Sequence, residues 1–175
     1  MMIIFAVLVV FSCRKNAPDS ILPPISSNGS HTLGFFLNNN VWVPYDRGMH
    51  EQHELPQPVL EHDGHLKITS TRIDEDNNAR NWFCLEIENC KGPGKYHISN
   101  PSCKSAYQTF YYGNNKDRDD ESYIIDTLQP HLMEIQYLDT NKQIISGIFS
   151  FDAVSQNNQD TIKVRSGRFD LKYRK

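Results

Sequence analysis

The chain has 175 residues, of which 38% are hydrophobic and 22% are charged, with a net charge of −3 and an isoelectric point near 6.1. This length and this composition are those of one ordinary globular domain. Because the chain carries no basic excess, it lacks the electrostatic footprint of a nucleic-acid-binding protein, and nucleic acid is not expected among its partners.

The N-terminus carries an apolar run that ends at a cysteine. Residues 1–11, MMIIFAVLVVF, are followed by Ser12, Cys13 and two basic residues. The run is too short to span a bilayer as a helix, but it suits the hydrophobic region of a secretory signal. A small residue directly before a cysteine at the end of such a run resembles the lipobox of bacterial lipoproteins. This resemblance implies that Cys13 becomes the lipidated first residue. An uncleaved anchor and a signal cut elsewhere are the alternatives.

The segment that follows Cys13 is rich in proline and has no periodicity, which is typical of a semi-extended tether. We therefore divide the chain into a lipoprotein signal peptide with its lipobox cysteine at 1–13, a flexible tether at 14–30, and a single all-β domain at 31–175.

Within that domain, short β-prone runs alternate with turn signals. LGFFL and VWV flank three asparagines and predict a first hairpin, with Trp42 in the core. Near the C-terminus, IISGIFSFDAV and TIKVRSGRFDLKY both alternate apolar and polar residues, and the polar connection between them predicts an antiparallel hairpin. About nine to ten strands without a convincing amphipathic helix predict an all-β fold, an antiparallel β-sandwich or a barrel-like domain.

The C-terminal motifs are similar to those of uncharacterised lipoproteins of Bacteroidota, a domain of unknown function that ends in the strand pair S-G-x-F-x-F and D-G-R-F-D-x-K-Y. The matching positions are Ser146, Gly147, Phe149, Phe151, Gly167, Arg168, Phe169, Asp170, Lys172 and Tyr173. The resemblance implies an all-β, lipid-anchored envelope protein, and it implies no activity.

A histidine-rich stretch offers candidate metal ligands. Two pairs with a spacing of three residues lie between positions 50 and 65, namely His50, His53, His62 and His65. Imidazole is a common ligand of zinc, copper and nickel. The prolines that follow the first pair disfavour the helix on which a zincin motif is built. A solvated loop without a cofactor is the first prediction, and a zinc-binding loop is the alternative.

The cysteines predict one disulfide. With Cys13 lipidated, three cysteines remain, an odd number for an oxidising compartment. Cys90 and Cys103 bracket a Gly-Pro-Gly turn, so a disulfide between them would clamp that hairpin and contribute about 3 kcal/mol. This pairing leaves Cys84 free.

The remaining signals favour binding over catalysis. Tyr107, Phe110, Tyr111 and Tyr112 form an aromatic run that could present a binding face, with core and edge packing as the alternative. The chain holds no recognisable nucleophile motif or complete metal motif, so we predict that it is not an enzyme. The residues after Cys13 are basic, which favours an outer-membrane lipoprotein that faces the periplasm.

We therefore expect a lipid-anchored cell-envelope protein that acts as a non-catalytic binding or structural module. Its expected partners are the membrane, through the lipid, and an envelope protein or a glycan. Two other interpretations stay open. One is a metal-binding protein or hydrolase that uses loop 50–65, and the other is a carrier of a small apolar ligand in a β-barrel cavity.

Overall fold

The computed structural model describes residues 21–44, 56–74, 78–100, 102–111, 119–157 and 160–174. Within these ranges the chain forms β-strands and no helix, which confirms the all-β prediction. The strands are β1 (Thr32–Leu37), β2 (Asn40–Trp42), β3 (Gln57–Leu60), β4 (Leu66–Asp74), β5 (Ala79–Ile87), β6 (Gly94–Tyr96), β7 (Tyr107–Tyr111), β8 (Glu121–Ile125), β9 (Leu132–Asp139), β10 (Ile144–Ser155) and β11 (Thr161–Lys172). The described part of the chain therefore contains no helix long and apolar enough to cross a membrane.

All the strands belong to one antiparallel sheet in the order β2-β1-β11-β10-β8-β7-β5-β4-β3, and β9 joins β10 on a side branch with β6. The long strand β10 pairs with β9 through its first half and with β8 at its end. A single parallel bridge connects Val59 in β3 to Arg174, beyond β11, where the Leu60 N–H donates to the Arg174 carbonyl at 2.9 Å. The sheet is not closed, but this bridge brings its β3 edge to the end of the chain.

The aromatic core shows that the sheet folds over on itself. Phe83 in β5 lies 4.9 Å from Phe35 in β1 and 5.5 Å from Phe149 in β10, measured between ring centroids. Because β5 is several strands away from β1 and β10 in the sheet order, the two parts of the sheet must face each other. Trp42 stacks on Phe35 at 4.6 Å and is buried, which confirms its predicted place in the core. The arrangement is sandwich-like.

The predicted C-terminal hairpin is confirmed, and reciprocal glycine–phenylalanine pairs hold its two strands. Gly147 in β10 lies opposite Phe169 in β11, and Phe149 lies opposite Gly167. A Cβ atom at Gly167 would lie 2.5 Å from the Phe149 ring, and one at Gly147 would lie 2.4 Å from the Glu134 backbone oxygen. Each ring therefore packs directly on the backbone of the partner strand, and only glycine at that position leaves room for it.

We expect Gly147→Ala to destabilise the protein by about 3 kcal/mol, because the new methyl group would overlap a backbone atom and the Phe169 ring, and backbone cannot move aside as a flexible side chain can. Denaturant midpoints of the variant and the wild type would measure the loss. Gly92→Ala is the matched control, since a Cβ at Gly92 meets no atom within 4 Å. Equal midpoints for the two variants would contradict this account of the hairpin.

The structure corrects the predicted boundary between tether and domain. Residues 21–30, here called the N-terminal strap, lie against the outer side of β1, β10 and β11. Leu22 is buried, and Pro23 packs so closely on Gly34 that a Cβ there would lie 2.7 Å from Pro23 Cδ. The Ser27 hydroxyl is 2.7 Å from that of Ser146. The strap is therefore part of the folded domain.

A buried carboxylate holds the strap in place. Asp170 in β11 is 1% exposed. It accepts hydrogen bonds from the Ser26 hydroxyl at 2.6 Å and from the backbone N–H groups of Asn28, Gly29 and Ser30 at 3.0, 2.7 and 3.2 Å. Burial alone would raise the pKa of this carboxyl, but these donors outweigh it and lower the pKa below its usual range. The sequence could not indicate this contact, because its partners are about 140 residues apart.

We expect Asp170→Asn to lower the free energy of unfolding by about 2 kcal/mol at neutral pH, since three N–H groups and a hydroxyl lose a charged acceptor. The pKa is lowered in the folded state, so the stabilisation is complete above the pKa of the unfolded carboxyl and is lost as the pH falls through the folded value. The difference between variant and wild type should therefore shrink below about pH 4. Urea denaturation from pH 7 to pH 3 measures this, with exposed Asp119→Asn as the control. A difference that does not depend on pH would contradict it.

Candidate functional site

The disulfide joins Cys84 to Cys103, so the predicted Cys90–Cys103 pairing is wrong. The prediction assumed that the chain between Cys90 and Cys103 returns as a plain hairpin. Instead, residues 98–106 run back along the open edge of β5, where Ile98 bridges Ile87 and the Cys84 N–H donates to the Ala106 carbonyl at 3.0 Å. This path places Cys103 over the outer face of β5, and Cys84 points to that face.

A second buried carboxylate lies beneath the same loop. Glu86 in β5 is fully buried and accepts hydrogen bonds from the Ser102 N–H at 2.8 Å, from the Ser102 hydroxyl and from the Cys103 N–H at 3.3 Å. Lys67 Nζ lies 3.5 Å away. Burial would raise the pKa of Glu86, but these donors and the lysine charge lower it overall. The loop is therefore fastened by both a covalent bond and a charged acceptor.

Cys84, Glu86 and Cys103 are also the one group of three His, Cys, Asp or Glu ligand atoms in the described ranges that lie close enough together to hold an ion. The two sulfur atoms are bonded to each other. Because a metal needs the thiolate form of cysteine, this cluster is a structural fastening and not an available metal site.

We expect Cys103→Ser to lower the free energy of unfolding by about 3 kcal/mol under oxidising conditions, because the disulfide closes a loop of 19 residues. Cys90→Ser is the comparison, since Cys90 is a free buried thiol. Thiol titration of the unfolded, unreduced chain should detect Cys90 in the wild type and lose that thiol in Cys90→Ser. A count that rises from one thiol in the wild type to two in Cys90→Ser would show that Cys90 takes part in the disulfide.

The described histidines of the predicted metal loop do not converge. His62 is exposed and lines a different pocket from His65, which lies beside Asp63, Glu88 and Asn89. His50 and His53 lie outside the described residues, so zinc binding by the whole loop stays a prediction.

The predicted aromatic face is divided between the two sides of the sheet. Tyr107 is 5% exposed and belongs to the core, Tyr111 is half-buried, and Phe110 is 38% exposed on the outer face. Tyr112 lies outside the described residues. Alternation along β7 separates Phe110 from its neighbours in sequence. Pairing with β5 instead places Arg80 opposite Phe110, and Trp82 lies in the next outward position of that strand.

A cavity opens at the end of the core, and we call it the end pocket. Its volume is about 290 Å³. Three of its walls, Leu60, Cys90 and Tyr173, are members of the buried core cluster, and Leu138 is half-buried against that cluster. The remaining lining residues are Glu61, His62, Gly64, Lys91 and Thr140. The pocket is therefore lined by core side chains on one side and by polar side chains on the other, in about equal measure.

Local structure explains why these walls meet. The Val59–Arg174 bridge draws the end of β3 to the end of the chain, which places Leu60 near Tyr173. The Cys90 N–H donates to the Gly64 carbonyl at 2.8 Å, so the chain after β5 is held against the turn before β4. Sequence analysis did not find this pocket because its walls come from four separate parts of the chain.

The two titratable groups in the interior are held in their neutral forms. Burial raises the pKa of the Cys90 thiol, although hydrogen bonds from Tyr96 and Gly92 act in the opposite direction. Burial also raises the pKa of Tyr173, as does the charge of Asp139. The Tyr173 hydroxyl is shielded from solvent and has no hydrogen-bond partner among the described residues. The interior of the pocket is therefore uncharged at neutral pH.

No significant match to this chain was found among protein-family models, curated proteins or solved structures.

Proposed function

We propose that this protein is a lipid-anchored component of the bacterial cell envelope whose β domain binds a small, uncharged ligand in the end pocket. The end pocket itself carries the proposal. Its volume of about 290 Å³ lies at the lower end of the range for small-molecule sites, and three of its lining residues belong to the core.

Binding is preferred over catalysis because the pocket offers no activated group. The thiolate is the nucleophilic form of cysteine, and the pKa of Cys90 is raised by burial. His62, the histidine on the rim, is exposed and belongs to a mixed set of charged side chains with Glu61 and Lys91. These features suit a site that holds a ligand without transforming it.

Two observations support the envelope location. The Cys84–Cys103 disulfide is typical of an oxidising compartment outside the cytoplasm. The apolar run that ends at Cys13 supports export and lipidation. Basic residues after Cys13 favour an outer-membrane protein that faces the periplasm.

The strap would keep the domain close to the membrane. Leu22 and Pro23 already pack on the domain, so the chain between Cys13 and Leu22 reaches at most about 30 Å. Ile21 and Ile25 on the strap are 78% and 61% exposed, which suits a segment that lies near lipid. On this proposal, the anchored domain works at the surface of the membrane.

The pocket can be tested with N-phenyl-1-naphthylamine, a neutral apolar fluorophore whose emission rises when it leaves water. We expect the wild type to bind it and Thr140→Trp to bind it about tenfold more weakly, because an indole at the rim would cover the opening. Thr161→Trp is the control, since Thr161 is exposed and is not a lining residue of the end pocket. Equal affinity in the two variants would reject the end pocket as the site.

A further inference from the structure

Two histidines that are 34 residues apart in the sequence meet on the surface. The pairing of Tyr96 in β6 with Met133 in β9 brings the residue after β6, His97, close to His131, which directly precedes β9. The Nδ1 atom of His97 lies 2.8 Å from the Nε2 atom of His131, and the two rings are inclined at 67°. Neither histidine belongs to the loop at 50–65 or lines the end pocket.

The backbone determines which nitrogen of His131 can bind an ion. His131 Nδ1 lies 3.1 Å from the Gln129 carbonyl oxygen, which can only accept a hydrogen bond. Nδ1 of His131 therefore carries the ring proton, and its Nε2 accepts a hydrogen bond from the His97 Nδ1–H. Histidines that bind metals have this arrangement, in which a backbone carbonyl accepts the other N–H and fixes the tautomer.

The spacing of the two nitrogens fits neighbouring positions around a metal ion. Imidazole nitrogens bind such ions at about 2.0 Å, so two nitrogens in cis positions of a square-planar centre lie about 2.8 Å apart, and two in a tetrahedral centre lie about 3.3 Å apart. The hydrogen bond between the two nitrogens already holds them 2.8 Å apart, close to the first separation, and an ion would take the place of its proton, which moves to Nε2 of His97. His97 is exposed, so its ring can rotate to direct Nδ1 at the ion. Copper(II) and nickel(II) favour square-planar nitrogen ligands.

We propose that His97 and His131 form a surface chelate for a divalent transition metal ion of the copper and nickel class. The two imidazole nitrogens supply neighbouring ligands, and water occupies the remaining positions. No carboxylate or thiolate from the described ranges completes a three-ligand group with this pair, so the site stays open to solvent. The metal site is separate from the end pocket and adds a second binding activity to the domain.

The test is calorimetric titration of the untagged, full-length chain in detergent micelles with Cu²⁺ or Ni²⁺ alone. We expect one saturable site, and His97→Gln and His131→Gln should each weaken it by at least about tenfold, because each removes one of two ligands. His31→Gln is the matched control, since His31 is also partly exposed and belongs neither to this pair nor to the loop at 50–65. Because His97 is exposed and His131 partly so, the melting temperatures of these variants without metal should equal that of the wild type.

Electron paramagnetic resonance of the Cu²⁺-loaded chain supplies a second readout. Coupling to two imidazole nitrogens in the wild type and to one in His97→Gln would support the chelate. Absence of binding in the wild type would overturn it. Binding that survives both substitutions but is lost in the double variant His50→Gln and His53→Gln would also overturn it, by moving the ion to the loop.

Discussion

The close approach of two phenylalanine rings to two glycines is the constraint on which the rest of the fold depends. The Phe149 ring lies over Gly167 of β11, and the Phe169 ring lies over Gly147 of β10, so neither ring meets a side chain on the partner strand. This lets β10 and β11 pack their aromatic residues without spreading apart. Phe149 then reaches Phe83, in the opposite part of the sheet. Because that contact joins distant strands, the sheet must fold over a shared core.

Two buried carboxylates convert irregular segments into parts of the domain. Asp170 gathers the N–H groups of the strap, and Glu86 gathers those of the loop at 102–103. Both lie on the outer side of the sheet, where an unpaired charge in a dry environment would be costly. The donors belong to segments whose backbone N–H groups are not paired within a strand. Each carboxylate therefore needs its segment as a source of donors, and each segment needs its carboxylate as an acceptor.

The candidate sites lie where this sheet ends and not along its faces. The end pocket forms because the edge of β3 meets the end of the chain beside Tyr173. The histidine pair forms because the short strand β6 adds to the free edge of β9. In both places backbone pairing brings together side chains that have no relation in sequence, and exposed residues beside them leave room for a ligand. The aromatic run in β7 does not behave in this way, because strand alternation sends its members to opposite sides.

The sequence by itself determined the all-β class, the C-terminal hairpin and the place of Trp42, because two-residue periodicity and turn residues act over short distances. It also predicted one disulfide, but only the tertiary structure decided that Cys103 pairs with Cys84, since that choice depends on how residues 98–106 cross β5. The strap, the end pocket and the histidine pair were likewise decided by contacts between residues 26 or more positions apart. Local patterns carry no record of such contacts, because strand register and sheet order are set by which faces can be buried together.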